Sequence, residues 1–234
     1  MLLLGVDTSS QASTAALFED GALVCEYTQN QNKTHSVKML PMIEEMLADV
    51  NVSVSDIDVF ACGIGPGSFT GVRIGVATVR GFAKTMDKPC VAVNSLETLA
   101  KNAAHFPGTV FALVFARENE CYCAAFENGD EILAPCVLTV EEIAEQAKGK
   151  TVLFLGDGAV INAEKLNQLV PTGTVAAGRQ NIVSAAALCE VAQSKIAAGA
   201  TGTCESLIPL YLRKSQAERE YEEKQKTKKE EETK

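Results

Sequence analysis

The alternation of apolar and polar positions divides the chain into short strands and amphipathic helices. Leu2-Leu3-Leu4-Gly5-Val6 predicts a buried strand that stops at the polar run Asp7-Thr8-Ser9-Ser10. Residues 13–18 and 22–27 read as two further strands around the turn Glu19-Asp20-Gly21, which is a hairpin signal. From Thr34 the period becomes helical, with Val37, Leu40, Ile43, Met46, Leu47 and Val50 at three- and four-residue spacing. Met39 and Met42 widen that stripe, so the helix carries more apolar surface than one core face requires.

A strand at 57–62 runs into the glycine-rich turn Gly63-Ile64-Gly65-Pro66-Gly67-Ser68-Phe69-Thr70-Gly71, followed by a helix at about 70–86, a strand at 90–93 and a helix from Ser95. Strand-helix-strand-helix order with short connections predicts an α/β layer. After the break His105-Phe106-Pro107-Gly108 the pattern resumes more faintly, with strands at 110–115, 121–126 and 132–138, a helix at 140–147 and a strand at 151–155. The expectation is two related α/β lobes, residues 1–105 and 106–213, the second degenerate. A late helix at 182–198 and a short extended segment at 207–213 are able to pack back on the first lobe. Residues 214–234 form a charged tail, expected to be disordered.

Composition sharpens this picture. The chain has 234 residues, 47% of them apolar, enough for a real core and too many for a disordered protein. Its formal charge is −9, and the tail contributes nothing to it because seven basic residues meet seven glutamates there. An acidic body repels phosphate backbones, which disfavours unaided nucleic-acid binding. The eight cysteines lie mostly in apolar runs, without a C-x-x-C pair, as small buried hydrophobes of a reducing compartment. The opening segment lacks a basic region and no uncharged apolar stretch reaches spanning length, so a cytoplasmic, soluble protein is expected, with no membrane association.

Two turns could carry chemistry. Gly65, Gly67 and Ser68 stand in a glycine-rich loop between a strand and a helix, which suits a phosphate, but the loop is neither G-x-x-x-x-G-K-[ST] nor G-x-G-x-x-G. A tight turn with Ser68 or Thr70 capping the helix accounts for the loop at least as well. Asp7, Thr8 and Ser9 end the first strand, where they can meet a metal-bound water or a phosphate, or else satisfy their own turn. Only His35 and His105 are available for histidine chemistry, and no G-x-S-x-G elbow occurs.

Four segments together carry a resemblance: GVDTSS at residues 5–10, HSVKMLPMIEEML at 35–47, DIDVFACGIGPGSFTGVRIGVATVRGFA at 56–83 and PLYLRKSQAE at 209–218. They resemble the TsaB (YeaZ) family, bacterial proteins required for threonylcarbamoyladenosine formation on tRNA. The similarity is read over residues 1–213, leaving the tail outside it. The resemblance implies two ribonuclease-H-like lobes of the actin, sugar-kinase and heat-shock-chaperone superfamily.

It also invites comparison with the catalytic paralogue TsaD, whose N-H-M-E-G-H segment holds a metal with two histidines. Here Asn94-Ser95-Leu96-Glu97-Thr98-Leu99 replaces it, with Ser95 and Leu99 at the histidine positions. A hydroxyl and an isobutyl group cannot substitute for two imidazoles, so no metal and no cofactor are expected. Family members commonly carry D-A-R where this chain has Phe115-Ala116-Arg117. Gly156-Asp157-Gly158-Ala159 resembles the adenosine-side loop of relatives, and a plain turn explains it equally well. Asp7, Thr8, Ser9, Gly65, Gly67, Ser68 and Gly156 are therefore read as vestigial nucleotide or phosphate loops.

The function implied is a non-catalytic subunit that binds a TsaD-type subunit and supports its transfer of threonylcarbamoyl to adenosine 37 of tRNA. A TsaE-type ATPase joins the larger assembly, the chain forms a homodimer when alone, and tRNA is met only indirectly. The expected partner interface lies on the first two helices, at Met39, Met42, Ile43 and Met46 and at Val72, Val76, Val79 and Ala83. The second helix has another stripe, Ile74, Thr78 and Gly81, and a sheet can cover only one of the two. The alternatives are an independent small-molecule kinase or ATPase, or a metallopeptidase, of the same superfamily.

Overall fold

The computed structural model describes residues 1–30 and 35–213; the tail at 214–234, expected above to be disordered, lies outside the described residues. The first half contains β1 (Leu2–Asp7), β2 (Ala12–Glu19), β3 (Ala22–Asn30), α1 (His35–Asp49), β4 (Val59–Gly63), α2 (Phe69–Met86), β5 (Cys90–Val93) and α3 (Ser95–Lys101). The second contains β6 (Thr109–Arg117), β7 (Glu120–Glu127), β8 (Asp130–Thr139), α4 (Val140–Ala147), β9 (Val152–Leu155), α5 (Asp157–Ile161), α6 (Ala163–Leu169), β10 (Thr174–Val175) and α7 (Ala185–Ala197).

One five-stranded sheet has the order β3-β2-β1-β4-β5 and the other β8-β7-β6-β9-β10, the same order counted from the start of each half. In both sheets the first three strands pair antiparallel, while the first and fourth pair parallel. The matching hairpins arise from matching local chemistry. Asp20-Gly21 and Asn128-Gly129 both place two successive residues at positive φ, 48° and 90° in one turn and 54° and 90° in the other. That is the two-residue turn whose twist suits a hairpin, and Asp-Gly and Asn-Gly are the pairs that tolerate it.

Both faces of the central strands are covered, so they read as continuous apolar runs rather than alternating ones. On the first sheet, Leu4, Val6, Leu17, Phe60 and Cys62 pack against α1 and α2, while Leu3, Ala16, Phe18, Ala61 and Val93 pack against α7. On the second, Phe111, Leu113, Cys123 and Phe154 meet α4 and α6, and Val110, Ala112, Val114 and Tyr122 meet α3. The lobes therefore exchange helices: α3 follows the first sheet in the chain but covers the second, and α7 does the reverse. Between them, Lys195 pairs with Glu97 at 2.9 Å and Lys101 with Glu190 at 3.4 Å. All eight cysteines are free thiols.

Candidate functional site

Asp7 ends β1 wholly buried, as are Thr8 and Ser9 behind it. The Ser9 N–H and hydroxyl each donate to Asp7 Oδ1 at 2.7 Å, and the Ser95 hydroxyl donates to Oδ2 at 3.2 Å. Thr8 Oγ1 donates to the Gly71 carbonyl at 2.7 Å, and the Ser68 N–H donates to the Ser9 carbonyl at 2.7 Å. The glycines make this contact sterically feasible. A Cβ at Gly63 would lie 1.7 Å from Asp7 Oδ2, at Gly67 2.2 Å from the Ser9 carbonyl oxygen, and at Gly71 2.1 Å from that of Thr8. Ser68 caps α2 through the Gly71 N–H, and the Gly65 carbonyl accepts from Ser95 N–H at 2.8 Å.

The two sequence-predicted turns are thus brought together, each filling the other. The Thr8, Ser9 and Ser95 hydroxyls and the Ser9, Ser68, Gly71 and Ser95 N–H groups are spent on partners inside the chain, so the arrangement acts as a rigid seam between β1, α2 and α3. The buried Asp7 charge also adds to the burial that pushes the Cys62 thiol well up.

Ser95 and Leu99 do not offer metal ligands. Ser95 is buried with its hydroxyl on Asp7, and Leu99 packs in the core of the second sheet. Among the described residues no group of three or more His, Cys, Asp or Glu side chains could hold a metal ion.

Gly156 stands in the second lobe at φ 107°, where a Cβ would lie 2.1 Å from the Leu113 carbonyl oxygen. Its N–H donates to Asn181 Oδ1 at 2.8 Å, and Asp157 accepts the Phe115 N–H at 2.9 Å. Burial pushes the Asp157 carboxyl up. Asp157, Val160 and Ile161 form one wall of an interlobe cleft of about 500 Å³, faced by Ser10 and Gln11, the residues just past the Asp7 turn. The backbone N–H of Phe115 is what meets Asp157, so this hydrogen bond does not depend on the side chain at position 115.

The expected interface residues are placed otherwise than the sequence suggested. Met39, Met42, Ile43 and Met46 of α1 and Val72, Val76, Val79 and Ala83 of α2 are between 0 and 4% exposed and belong to the core of the first sheet. They are corrected here from partner contacts to core residues. The sheet takes the Val72 stripe of α2, and the methionines fill the space between the two helices and that sheet. The outer face is a different set: Leu40, Glu44, Glu45 and Asp49 on α1, and Thr70, Ala77 and Gly81, flanked by half-buried Ile74, on α2. The cations Arg73, Arg80 and Lys84 line the other border of that face, and α2 contains no acidic residue.

The sequence reading missed a neighbouring cluster. The segment after α7 returns along α2, with Leu207 buried in the first core and the Leu210 N–H donating to the Ile64 carbonyl at 2.8 Å. The Tyr211 ring stacks on Phe69 at 4.4 Å between centroids and 2° between planes. Arg73 Nε donates to the Tyr211 hydroxyl at 2.8 Å, with its guanidinium carbon 5.1 Å from the Phe69 centroid. Arg213 then reaches Glu120 of the second lobe at 3.5 Å. The run PLYLRKSQAE was the sequence signal, but pairing across 138 residues is not visible in spacing.

Comparison with known proteins places this geometry. A family model described as "TsaD: tRNA N6-adenosine threonylcarbamoyltransferase" matches residues 22–221. The tRNA threonylcarbamoyladenosine biosynthesis protein TsaB of Bacillus subtilis is 32% identical, over 97% of this chain and 100% of its own length. That span is more than residues 1–213 could supply, so the similarity extends into the tail, contrary to expectation. The solved structure of YeaZ from Pseudomonas aeruginosa superposes with a TM-score of 0.78 at 30% identity, covering 90% of this chain and 99% of that one. Component A of (R)-2-hydroxyglutaryl-CoA dehydratase from Acidaminococcus fermentans, at 13% identity and a TM-score of 0.52, shares the fold alone.

Proposed function

The chain belongs to the TsaB (YeaZ) family, and from that membership we propose that it serves threonylcarbamoyladenosine formation on tRNA as a non-catalytic subunit supporting a TsaD-type transferase. The observation that carries this reading is the Asp7 turn. Its carboxylate and hydroxyls are buried and bonded to Ser9, Ser95 and Gly71, so the chain keeps the two-lobed architecture while its phosphate-side chemistry is closed. Ser95 and Leu99, where the paralogue has metal-binding histidines, support the same conclusion.

The partner surface is proposed on the outer faces of α1 and α2. Ala77 and Gly81 beside Ile74 permit close approach of a helix, as small residues do. The acidic α1 edge and the basic α2 edge give that surface two charged borders, which fix orientation. The same face serves self-association when the partner is absent. A TsaE-type ATPase joins the assembly through the pair. The acidic body limits direct contact with tRNA, which the partner's surface supplies. Among the described residues no helix is long and apolar enough to cross a membrane, and the site of action proposed is the cytoplasm.

Co-purification with the TsaD-type subunit of the same genome tests this. A 1:1 complex is expected on size exclusion, and Ala77→Asp, on the exposed face, is expected to abolish it with the thermal midpoint unchanged. Absence of a complex under every nucleotide condition would sink the proposal. So would steady ATP hydrolysis by the purified chain that is lost in Asp7→Ala.

A further inference from the structure

We infer that the outer edge of β3, with the cleft beside it, is a strand-addition site for an extended acidic peptide of a partner protein. The site lies on the α7 side of the first sheet, opposite α1 and α2, so it stands apart from the surface proposed above for a TsaD-type subunit. β3 is the last strand of its sheet and nine residues long, and among the described residues no strand pairs with its outer edge. Such an edge is a row of unpaired backbone groups, and proteins blunt the edges they do not use with proline, charge or bulges.

The repeated topology supplies an internal comparison. β8 holds the same place in the second sheet and is blunted: it carries Pro135, opens on Asp130 and Glu131, and has two register shifts against β7. β3 has no proline and no basic residue, and its register against β2 shifts once. Its one acid, Glu26, is spent on the start of α7, where Oε1 accepts the Ser184 hydroxyl at 2.8 Å and the Ala186 N–H at 3.0 Å. Leu23 and Val24 are left 49% and 42% exposed. Of two edges built to one plan, β8 is closed and β3 is open.

The cleft names the occupant. Leu23, Glu26 and Thr28 lie across from Phe18, Ala16 and Thr14, hence on the α7 side, and they border a cleft of about 830 Å³. Its far wall is already fixed, because Asn102 Nδ2 donates to the Gln180 and Ile182 carbonyls at 3.1 and 2.8 Å. The cleft holds two acids, Glu26 and Glu190, two cations, Lys101 and Arg179, and His105. Glu26 is bonded as above, and Glu190 pairs with Lys101 at 3.4 Å. Arg179 and His105 are exposed and have no hydrogen bond or ion pair among the described residues. The uncommitted charge is therefore positive. A peptide laid along β3 sends every second side chain into the cleft, where a carboxylate meets the Arg179 fork and a basic side chain finds both acids already paired.

Fluorescence anisotropy of the full chain with a labelled, capped octapeptide of alternating valine and aspartate tests this. Saturable binding is expected, weakened at least about tenfold when lysine replaces aspartate and at least about tenfold when the alternate amides that face β3 are N-methylated. Arg179→Glu is expected to weaken the acidic peptide at least about tenfold with the thermal midpoint unchanged. Ala77→Asp is expected to leave peptide binding as it was, so this site and the TsaD-type surface fail independently. Absence of saturation overturns the inference, as does equal affinity for the lysine peptide, for peptides N-methylated on either set of alternate amides, or in Arg179→Glu. A dimer of this chain that Leu23→Arg dissociates, without peptide binding, would make the occupant a second copy and overturn it too. So would a single-stranded RNA oligonucleotide that binds where the acidic peptide does not.

Discussion

Met42 shows how little a side chain's chemistry says about its role until its surroundings are known. It sits on a helix whose apolar residues spread beyond a single stripe, and it is 1% exposed in the core of the first sheet. Met42→Asp would bury a carboxylate with no partner, and it is expected to cost about 3 kcal/mol or more in chemical denaturation. Met42→Leu, similar in volume, is expected to cost less than about 1.5 kcal/mol. Wild-type stability in Met42→Asp would return this residue to the surface and refute its place in the core. Asp7 is the converse. Its position at a strand end was plain in the sequence, but its options stayed open because a metal-bound water and a serine hydroxyl both donate to a carboxylate, and spacing does not show which of them is at hand. Its full burial, its bonds to Ser9 and Ser95, and the 1.7 Å at which a Gly63 Cβ would overlap it show that Asp7 is walled in by its own chain.

Among the elements, α2 reads differently at its two ends. A Cβ at Gly75 would lie 2.5 Å from Thr8 Oγ1, whereas one at Gly81 meets nothing within 4 Å. Intrinsic propensity favours alanine over glycine in a helix by about 1 kcal/mol at both positions. At Gly75 the steric conflict outweighs it, so Gly75→Ala is expected to destabilise the fold by about 1–3 kcal/mol. Gly81→Ala is expected to stabilise it by up to about 1 kcal/mol. Thermal melts of the two variants, moving in opposite directions, check this; equal shifts would contradict the packing of α2 on the Asp7 turn. Element type and approximate bounds were legible because hairpin turns, a serine cap and a helical period are local signals. The direction in which α2 faces was not. Both of its stripes are apolar or small, and which one the sheet claims depends on the backbone approach allowed by Gly71 and Gly75.

On the scale of the whole molecule, the exchange of α3 and α7 ties the lobes into one folding unit. Residues 1–105 contain the first sheet but lack Ala185, Leu188, Cys189 and Ala192, which cover Leu3, Ala16, Phe18 and Ala61. That fragment alone is expected to show no cooperative thermal transition, and joining residues 182–213 to it is expected to restore one; a sharp transition in the fragment alone would refute the exchange as a stability requirement. The acidic charge keeps its meaning here, as a body that disfavours unaided contact with a phosphate backbone, while the cations of α2 make one border of it an exception. The succession of strand, hairpin and helix signals predicted, by itself, two related α/β lobes, because those signals are local and each half repeats them, while the strand order within each sheet came from pairing between distant segments. The motifs determined the family. Tertiary structure alone decided which stripe of α2 faces water, that the Asp7 turn is closed, and that Tyr211 returns to Phe69. Each of these depends on contacts between residues far apart in the chain, and burial, unlike periodicity, is settled by what else arrives at the same place.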